Sequence, residues 1–249
     1  MSLKHISQNT LALLMALLVG NLPNPALSGN SHDGAIQAIL ERKAFTYRIT
    51  HGNDTPIGEL EVSVSSQGGA ILVVSSLKIS NALARLFLDE YIVRNRFQMD
   101  HGQLVLVSGE AWKPGSPEII SSYLIDRERE VIQYSGQESV TAPADVEFDT
   151  LDFPIAMSTA DPESLAGTSV LIVGHRKASL YQYETPQEET ITLWGKKHEA
   201  LKVTRNKSGE SGRRVSVWLT NDAKRIPLRI VSSKRGMDSL FELEELPDG

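Results

Sequence analysis

Apolar and polar residues alternate with a period of two along most of the chain. Residues 45–49 place Phe45, Tyr47 and Ile49 on one parity, and residues 60–64 repeat the pattern with Leu60 and Val62. Such alternation is typical of a β-strand with one buried face. The pattern is densest at residues 168–246, where short alternating segments are separated by Gly, Asn, Asp and Pro. The chain is therefore predicted to be mainly β.

The spacing of these segments predicts the shape of the sheet. About twelve short strands recur roughly every ten residues, which favours a single strongly curved antiparallel sheet, either a half-barrel or a barrel. Residues 71–74 and 215–219 carry apolar side chains at both parities. Both of their faces are then expected to meet a helix, a flap or a ligand.

Two short helices and one irregular segment interrupt the strands. Residues 31–41 and residues 81–90 have apolar side chains at helical spacing, and Asn81 is a candidate N-cap. Residues 135–167 contain three prolines and no sustained period, apart from a helical turn at 162–166. We expect that segment to be a long irregular loop or flap, because loops of such length are often functional.

The N-terminus has the layout of a secretory signal. Lys4 and His5 precede an apolar run at residues 11–19, and Ala26 and Ser28 are small residues suited to a signal peptidase. The run is too short to span a bilayer, which needs about 20 residues. We expect residues 1–28 to be a cleaved signal peptide and residues 29–249 a single antiparallel β domain. No later segment is long and apolar enough to be a transmembrane helix.

Composition narrows the location and the partners. The chain has no cysteine, which excludes both a lipoprotein anchor and a disulfide framework. Without residues 1–28 it keeps 24 basic and 31 acidic groups, a net charge of −7. A nucleic-acid partner needs a basic surface, so none is expected. The sequence predicts a soluble, monomeric periplasmic protein.

Candidate catalytic and metal-binding residues are scattered. His51, His101, His175 and His198 lack the local spacing of metal ligands, and solvated turn positions are the simpler interpretation. The basic cluster at 175–177 can be an anion site or a charged hairpin turn. The charges at 126–130 suit a solvated turn with weak ion pairs. Residues 107–110 lack the glycine pattern of a hydrolase nucleophile elbow.

No catalytic, metal-binding or cofactor-binding residues are therefore assigned. We expect neither a cofactor nor enzymatic activity. Five large aromatic residues leave two interpretations open, either the mouth of a cavity bounded by the sheet or ordinary packing at its rim. They are Trp112, Trp194, Trp218, Tyr181 and Tyr183. Pro227 cannot donate to a ladder and should mark a strand start or an edge.

A family resemblance is carried by residues 217–230. Trp218 and Leu219 end one strand, Asp222 follows in a turn, and Ile226-Pro227-Leu228-Arg229 starts the next strand. This segment resembles the most characteristic part of the domain-of-unknown-function 3108 family, and residues 184–205 are similar to the hairpin that precedes it. Residues 47 and 57–60 fit loosely, and residues 135–167 match poorly. The resemblance spans about residues 44–246.

The resemblance implies a secreted or periplasmic protein of Gram-negative bacteria whose sheet is similar to the half-barrel of lipoprotein carriers. The family has no assigned activity, so it contributes no site residues. We expect a protein that binds or carries an apolar ligand, such as a lipid or acyl chain, in the concavity of its sheet. The alternative is a non-enzymatic module that binds another envelope protein through its surface or a sheet edge. A carrier requires an unfilled apolar cavity of about 300 Å³ or more.

Overall fold

A computed structural model describes residues 30–52, 55–82, 85, 90–100, 103–144, 146–150, 155–209, 212–234 and 236–245. Sixteen strands and three helices lie in this part of the chain. The strands are β1 (Ala44–His51), β2 (Thr55–Gln67), β3 (Ala70–Ile79), β4 (Tyr91–Asp100), β5 (Gln103–Trp112), β6 (Ile119–Asp126), β7 (Val131–Tyr134), β8 (Val140–Thr141), β9 (Glu147–Thr150), β10 (Ser169–Val173), β11 (Ala178–Tyr183), β12 (Gln187–Leu193), β13 (Lys196–Lys207), β14 (Arg214–Thr220), β15 (Pro227–Lys234) and β16 (Met237–Leu243). The helices are α1 (Asn30–Arg42), α2 (Ile155–Thr159) and α3 (Pro162–Leu165).

All sixteen strands belong to one sheet, in the order β8-β7-β6-β5-β4-β3-β2-β1-β16-β15-β14-β13-β11-β10-β9, and β12 pairs with the first half of β13. The first and last long strands, β1 and β16, are neighbours at its centre. Every described pairing is antiparallel except that of β9 with β10, which is parallel. The predicted fold class, a mainly β protein with one curved sheet and short helices, is confirmed.

The sheet curls without closing its hydrogen-bond ladder. The end strand β9 packs near β5, yet the two are not paired in the sheet. We call this meeting of β9 and β10 with β5 the seam. One continuous hydrophobic core fills the inside of the curl and includes side chains from strands on both sides of the seam. Phe45, Tyr47 and Ile49 face this core and are at most 1% exposed, as the alternation in β1 predicts.

Helix α1 packs onto the core at the N-terminal side. Ala35, Ile36 and Ile39 lie on one face of the helix and are buried. The helix ends at Arg42, and Lys43 adopts a left-handed φ of 62°, a common way to terminate a helix. The helix predicted at 31–41 is confirmed.

The structure differs from the sequence prediction in its strand count and in residues 135–167. That segment contributes β8, β9, α2 and α3, two of the strands beyond the twelve or so predicted. Both strands are too short to show alternation over several residues. The predicted helix at 81–90 and signal peptide at 1–28 lie largely or wholly outside the described residues. None of the described helices is long and apolar enough to cross a bilayer.

Candidate functional site

A cavity of about 670 Å³ lies at the seam, between β5, β9, β10, β11 and the short helices α2 and α3. We call it the seam cavity. Its largest apolar side chains are Leu104, Val146, Phe148, Leu165 and Val170, with Tyr183 beside them. Leu104 projects from the inner face of β5, and Val170 from β10. Phe148 pairs with Leu171 and so projects from the opposite face to Val170. The cavity therefore lies at the edge of the sheet, where β9 and β10 meet β5.

The polar lining of the seam cavity comes from α2, α3 and the start of β10. Three hydroxyl groups there donate to nearby backbone carbonyls: Thr159 to Ile155 (3.1 Å), Ser164 to Asp161 (2.7 Å) and Thr168 to Leu165 (2.8 Å). These bonds use each hydroxyl proton, and the oxygens of Ser164 and Thr168 keep lone pairs that can accept a hydrogen bond. Towards a ligand, this side of the cavity therefore presents mainly acceptors.

Asp161 fixes the start of α3. Its carboxylate accepts from the amide of Glu163 at 3.4 Å, and Pro162 occupies the first position of the helix, a combination that favours a helix start. Arg225 donates to the carbonyl of Ala160 at 3.0 Å and so holds the link between α2 and α3. Burial lowers the pKa of Arg225, although the attraction of Asp161 opposes this effect.

A buried ion pair lies behind the cavity. Nη1 of Arg205 on β13 donates to Oδ2 of Asp149 on β9 at 2.6 Å, and Nη2 donates to the carbonyl of Thr150 at 3.0 Å. Both charged side chains are 0% exposed. The guanidinium also lies 5.7 Å from the ring of Tyr181. Because β10 and β11 lie between β9 and β13 in the sheet, the ion pair joins two strands that are three positions apart.

The electrostatics of this pair favour the charged states. Burial alone would lower the pKa of Arg205, but the attraction of Asp149 raises it above its ordinary value. Burial raises the pKa of Tyr183, which lines the cavity, so its hydroxyl stays protonated. The sequence offered one signal for this pair: Arg205 shares the inward parity of Val203 on a predicted strand, and a buried arginine requires a counter-ion.

A smaller cavity of about 320 Å³ adjoins the seam cavity and shares Val146, Glu147 and Phe148 with it. Arg127, in the turn between β6 and β7, lies 5.0 Å over the ring of Phe148 and 3.8 Å from the carboxylate of Glu147. Glu147 is largely exposed. This side of the seam is therefore where the cavity lining meets solvent.

The charged turn at 126–130 connects β6 and β7, as predicted. Arg129 lies 3.6 Å from Asp126 and is 78% exposed, so this ion pair is a weak surface contact. Residues 107–110 lie within β5, and Gly109 is covered by the ring of Tyr123. A nucleophile elbow would need a strand-to-helix turn, which this segment does not form.

His51, His175 and His198 lie at separate places in the described part of the chain. His51 is exposed at the end of β1, with Nδ1 2.9 Å from the hydroxyl of Ser239. His198 is half-buried, contrary to the predicted solvated turn, because β13 begins at Lys196 rather than at residue 200. His101 lies outside the described residues. Within the described ranges, no three His, Asp or Glu side chains are grouped in a way that could hold a metal ion.

His175 is also half-buried rather than solvated. It lies in the turn between β10 and β11, with its ring 5.2 Å from that of Tyr91. Burial, and then the charge of Arg176, lower the pKa of His175. Tyr134 donates to the carbonyl of Gly174 in the same turn at 3.2 Å, and burial raises its pKa to about 12. The 175–177 cluster is thus a hairpin turn that packs against the sheet.

The five large aromatic residues divide between the two predicted roles. Tyr183 alone among them lines the seam cavity. Trp218 is 8% exposed and packs under β12, where its Nε1 donates to Glu189 at 2.7 Å. Trp194 lies at the tip of the β12–β13 hairpin, with a positive φ and its ring 5.4 Å from that of His198. Pro227 begins β15, as predicted.

No protein-family model matches the sequence, and no curated protein matches it. Among solved structures, the chain is similar to a β-barrel-like protein of a domain of unknown function (DUF1849) from Brucella abortus. That likeness has a TM-score of 0.47 at 7% identity and covers 82% of this chain and 97% of that chain. A second similar structure is the lipoprotein LppX of Mycobacterium tuberculosis, with a TM-score of 0.31, 11% identity and coverage of 88% and 96%. The resemblance to the domain-of-unknown-function 3108 family stays a prediction.

Proposed function

We propose that this chain is a non-enzymatic periplasmic protein that binds an apolar ligand, such as a lipid or acyl chain, in the seam cavity. The observation that carries the proposal is the volume of about 670 Å³ at the seam. This exceeds the roughly 300 Å³ at which ligand pockets begin. The apolar wall of Leu104, Phe148 and Val170 suits a hydrocarbon chain, because removing such surface from water is favourable.

The polar lining of the seam cavity limits which head group the ligand can carry. Glu147 and Asp161 contribute carboxylates, and the hydroxyls of Ser164 and Thr168 present lone pairs. Hydrogen-bond donors on the ligand would satisfy these acceptors. The seam cavity should therefore prefer an acyl ligand with a neutral hydroxyl-bearing or cationic head to a free fatty acid.

Native mass spectrometry of the protein, purified from its native compartment without detergent, tests the proposal. The expected result is a stoichiometric added mass that solvent extraction releases as a lipid. Ala160→Trp adds an indole at a half-buried position that lines the cavity, and it should abolish the added mass. Ala166→Trp, at an exposed position just after α3, is the matched control and should retain it. A bare protein mass after incubation with envelope lipids would contradict the proposal.

A second candidate function is supported by exposed apolar side chains on both faces of the sheet near its end strand β8. Ile120 and Leu124 on β6 and Val140 on the short end strand β8 are 41%, 49% and 39% exposed. An end strand with exposed apolar side chains can accept a strand from another protein. Leu124→Arg should then abolish cross-linking to an envelope protein while leaving the seam cavity unchanged. If the variant and the parent chain give the same cross-links, this candidate is wrong.

A further inference from the structure

A second cavity lies elsewhere on the inner face of the sheet, between β2–β4 and β14–β16. Its volume is about 100 Å³, and it shares no lining residue with the seam cavity. Leu60, Leu77, Tyr91, Ile230 and Phe241 form its apolar walls. We call it the concave groove. It is several times larger than the space that one water molecule needs, but it is too small to enclose a long acyl chain.

One polar group inside the concave groove has no partner. Ser75 on β3 is 2% exposed and lines the groove, and its Oγ makes no hydrogen bond to any residue that the structure describes. An unsatisfied buried hydroxyl costs on average about as much as a lost hydrogen bond, so such groups are uncommon. A bound molecule that reaches Ser75 would remove this cost.

Three cations stand side by side at the rim of the groove. The amide of Lys207 donates to the carbonyl of Arg213 at 2.8 Å, so these residues are neighbours across β13 and β14. The pairing of Arg214 with Ser233 places Lys234 beside Arg213 on the other side. Cross-strand neighbours share a face of the sheet, and Arg213 itself lines the groove. The three positive charges therefore belong to the groove face.

No described carboxylate neutralises this row. None of Lys207, Arg213 and Lys234 forms an ion pair in the part of the chain that the structure describes; Arg213 donates only to the hydroxyl of Ser232, at 3.2 Å. The nearby Glu184 binds Arg214 instead, whose side chain is on the opposite face. Like charges placed directly opposite each other destabilise a sheet, and a bound anion would offset that repulsion.

We infer that the concave groove binds a small anionic amphiphile, with its charged head on Arg213 and the flanking lysines and its first methylenes between Leu77 and Phe241. Ser75 then offers a hydrogen bond inside the groove. This site goes beyond the proposed function, because the seam cavity presents acceptors and selects the opposite kind of head group. The two sites can therefore be occupied independently.

Isothermal titration calorimetry with three eight-carbon probes tests the inference. Octanoate should bind, while 1-octanol and octylamine should bind at least about tenfold more weakly, since a charge-assisted bond to Arg213 is lost. Arg213→Met should lower octanoate affinity by a similar factor and leave 1-octanol unchanged. Arg214→Met, the neighbouring arginine on the opposite face, is the matched control and should have no effect. Lys207→Met provides an independent test should the Arg213 variant not fold.

Three results would overturn the inference. They are equal affinity for octanoate and 1-octanol, equal effects of Arg213→Met and Arg214→Met, and binding of inorganic phosphate as tight as that of octanoate. The seam-cavity variant Ala160→Trp separates the two sites. Octanoate binding that survives this variant supports the groove, and octanoate binding that disappears with it assigns the ligand to the seam cavity.

Discussion

Asp149→Asn is the substitution that most directly tests how β9, the strand at the seam, is held to β13. The change keeps the size of the side chain and removes the negative charge that faces Arg205. In the parent structure the two side chains are completely buried and 2.6 Å apart. The variant leaves the guanidinium buried with a neutral amide oxygen and the carbonyl of Thr150 as its acceptors.

The expected loss of stability is large. Removing one partner of a buried ion pair costs about 3–5 kcal/mol, because the remaining charge stays desolvated without compensation. A domain of this kind has a total free energy of unfolding of about 5–15 kcal/mol. We therefore expect Asp149→Asn to remove about a fifth or more of the stability. With a urea m-value of about 2–3 kcal/mol/M, the urea midpoint should fall by at least about 1 M.

A double-mutant cycle separates the pair interaction from general damage to the core. Asp149→Leu alone and Arg205→Met alone should each be strongly destabilising, because the remaining charge then stays buried without its counter-ion. Asp149→Leu combined with Arg205→Met replaces the pair by apolar groups of similar size, and it should cost clearly less than the sum of the two single changes. The measurement is urea unfolding followed by circular dichroism at pH 7. A loss below about 1 kcal/mol for Asp149→Asn would refute this account of the seam.

Three further predictions concern other parts of the chain. Gly109→Ala should lower the free energy of unfolding in urea by about 2–4 kcal/mol, because its Cβ would lie 2.5 Å from ring atoms of Tyr123. The control is Gly34→Ala in α1, where the added Cβ makes only ordinary contacts, and this change should be neutral or slightly stabilising. Equal effects of the two changes would contradict the packing described. The pKa of His175 is lower in the folded protein than in the unfolded chain, where it is about 6.5. As the pH falls, His175 therefore takes up its proton in the unfolded chain before it does so in the folded protein. Stability should thus fall between pH 7 and pH 5.5, and His175→Asn should reduce that fall; an unchanged slope would show that other groups cause it. Intact-mass measurement of the exported protein should give an N-terminus at Gly29, and retention of residues 1–28 would contradict the predicted cleavage.

The strands were predictable because the sheet has one buried face. Alternation in residues 45–49 and 60–64 reflects inward side chains of β1 and β2, and the structure extends these segments only at their ends. The start of β15 at Pro227 was also predictable, because proline cannot donate to the ladder. Local pattern and local chemistry were sufficient for these elements.

The seam was not predictable from local patterns. β9 has four residues, pairs in parallel with β10, and provides Asp149, whose partner Arg205 is 56 positions later. Neither four residues nor a single aspartate gives a periodic signal. The seam cavity and the concave groove depend on such long-range pairings. Arg213 and Lys234, for example, become neighbours only through the register of β14 with β15.

A crystal structure of the protein purified from its native compartment without detergent tests the central claim most directly. The account predicts continuous, elongated density in the seam cavity, with its apolar part against Phe148 and Val170 and a polar end near Asp161. Density for ordered water alone in that cavity, in crystals of protein that was never exposed to detergent or denaturant, would contradict ligand binding at the seam.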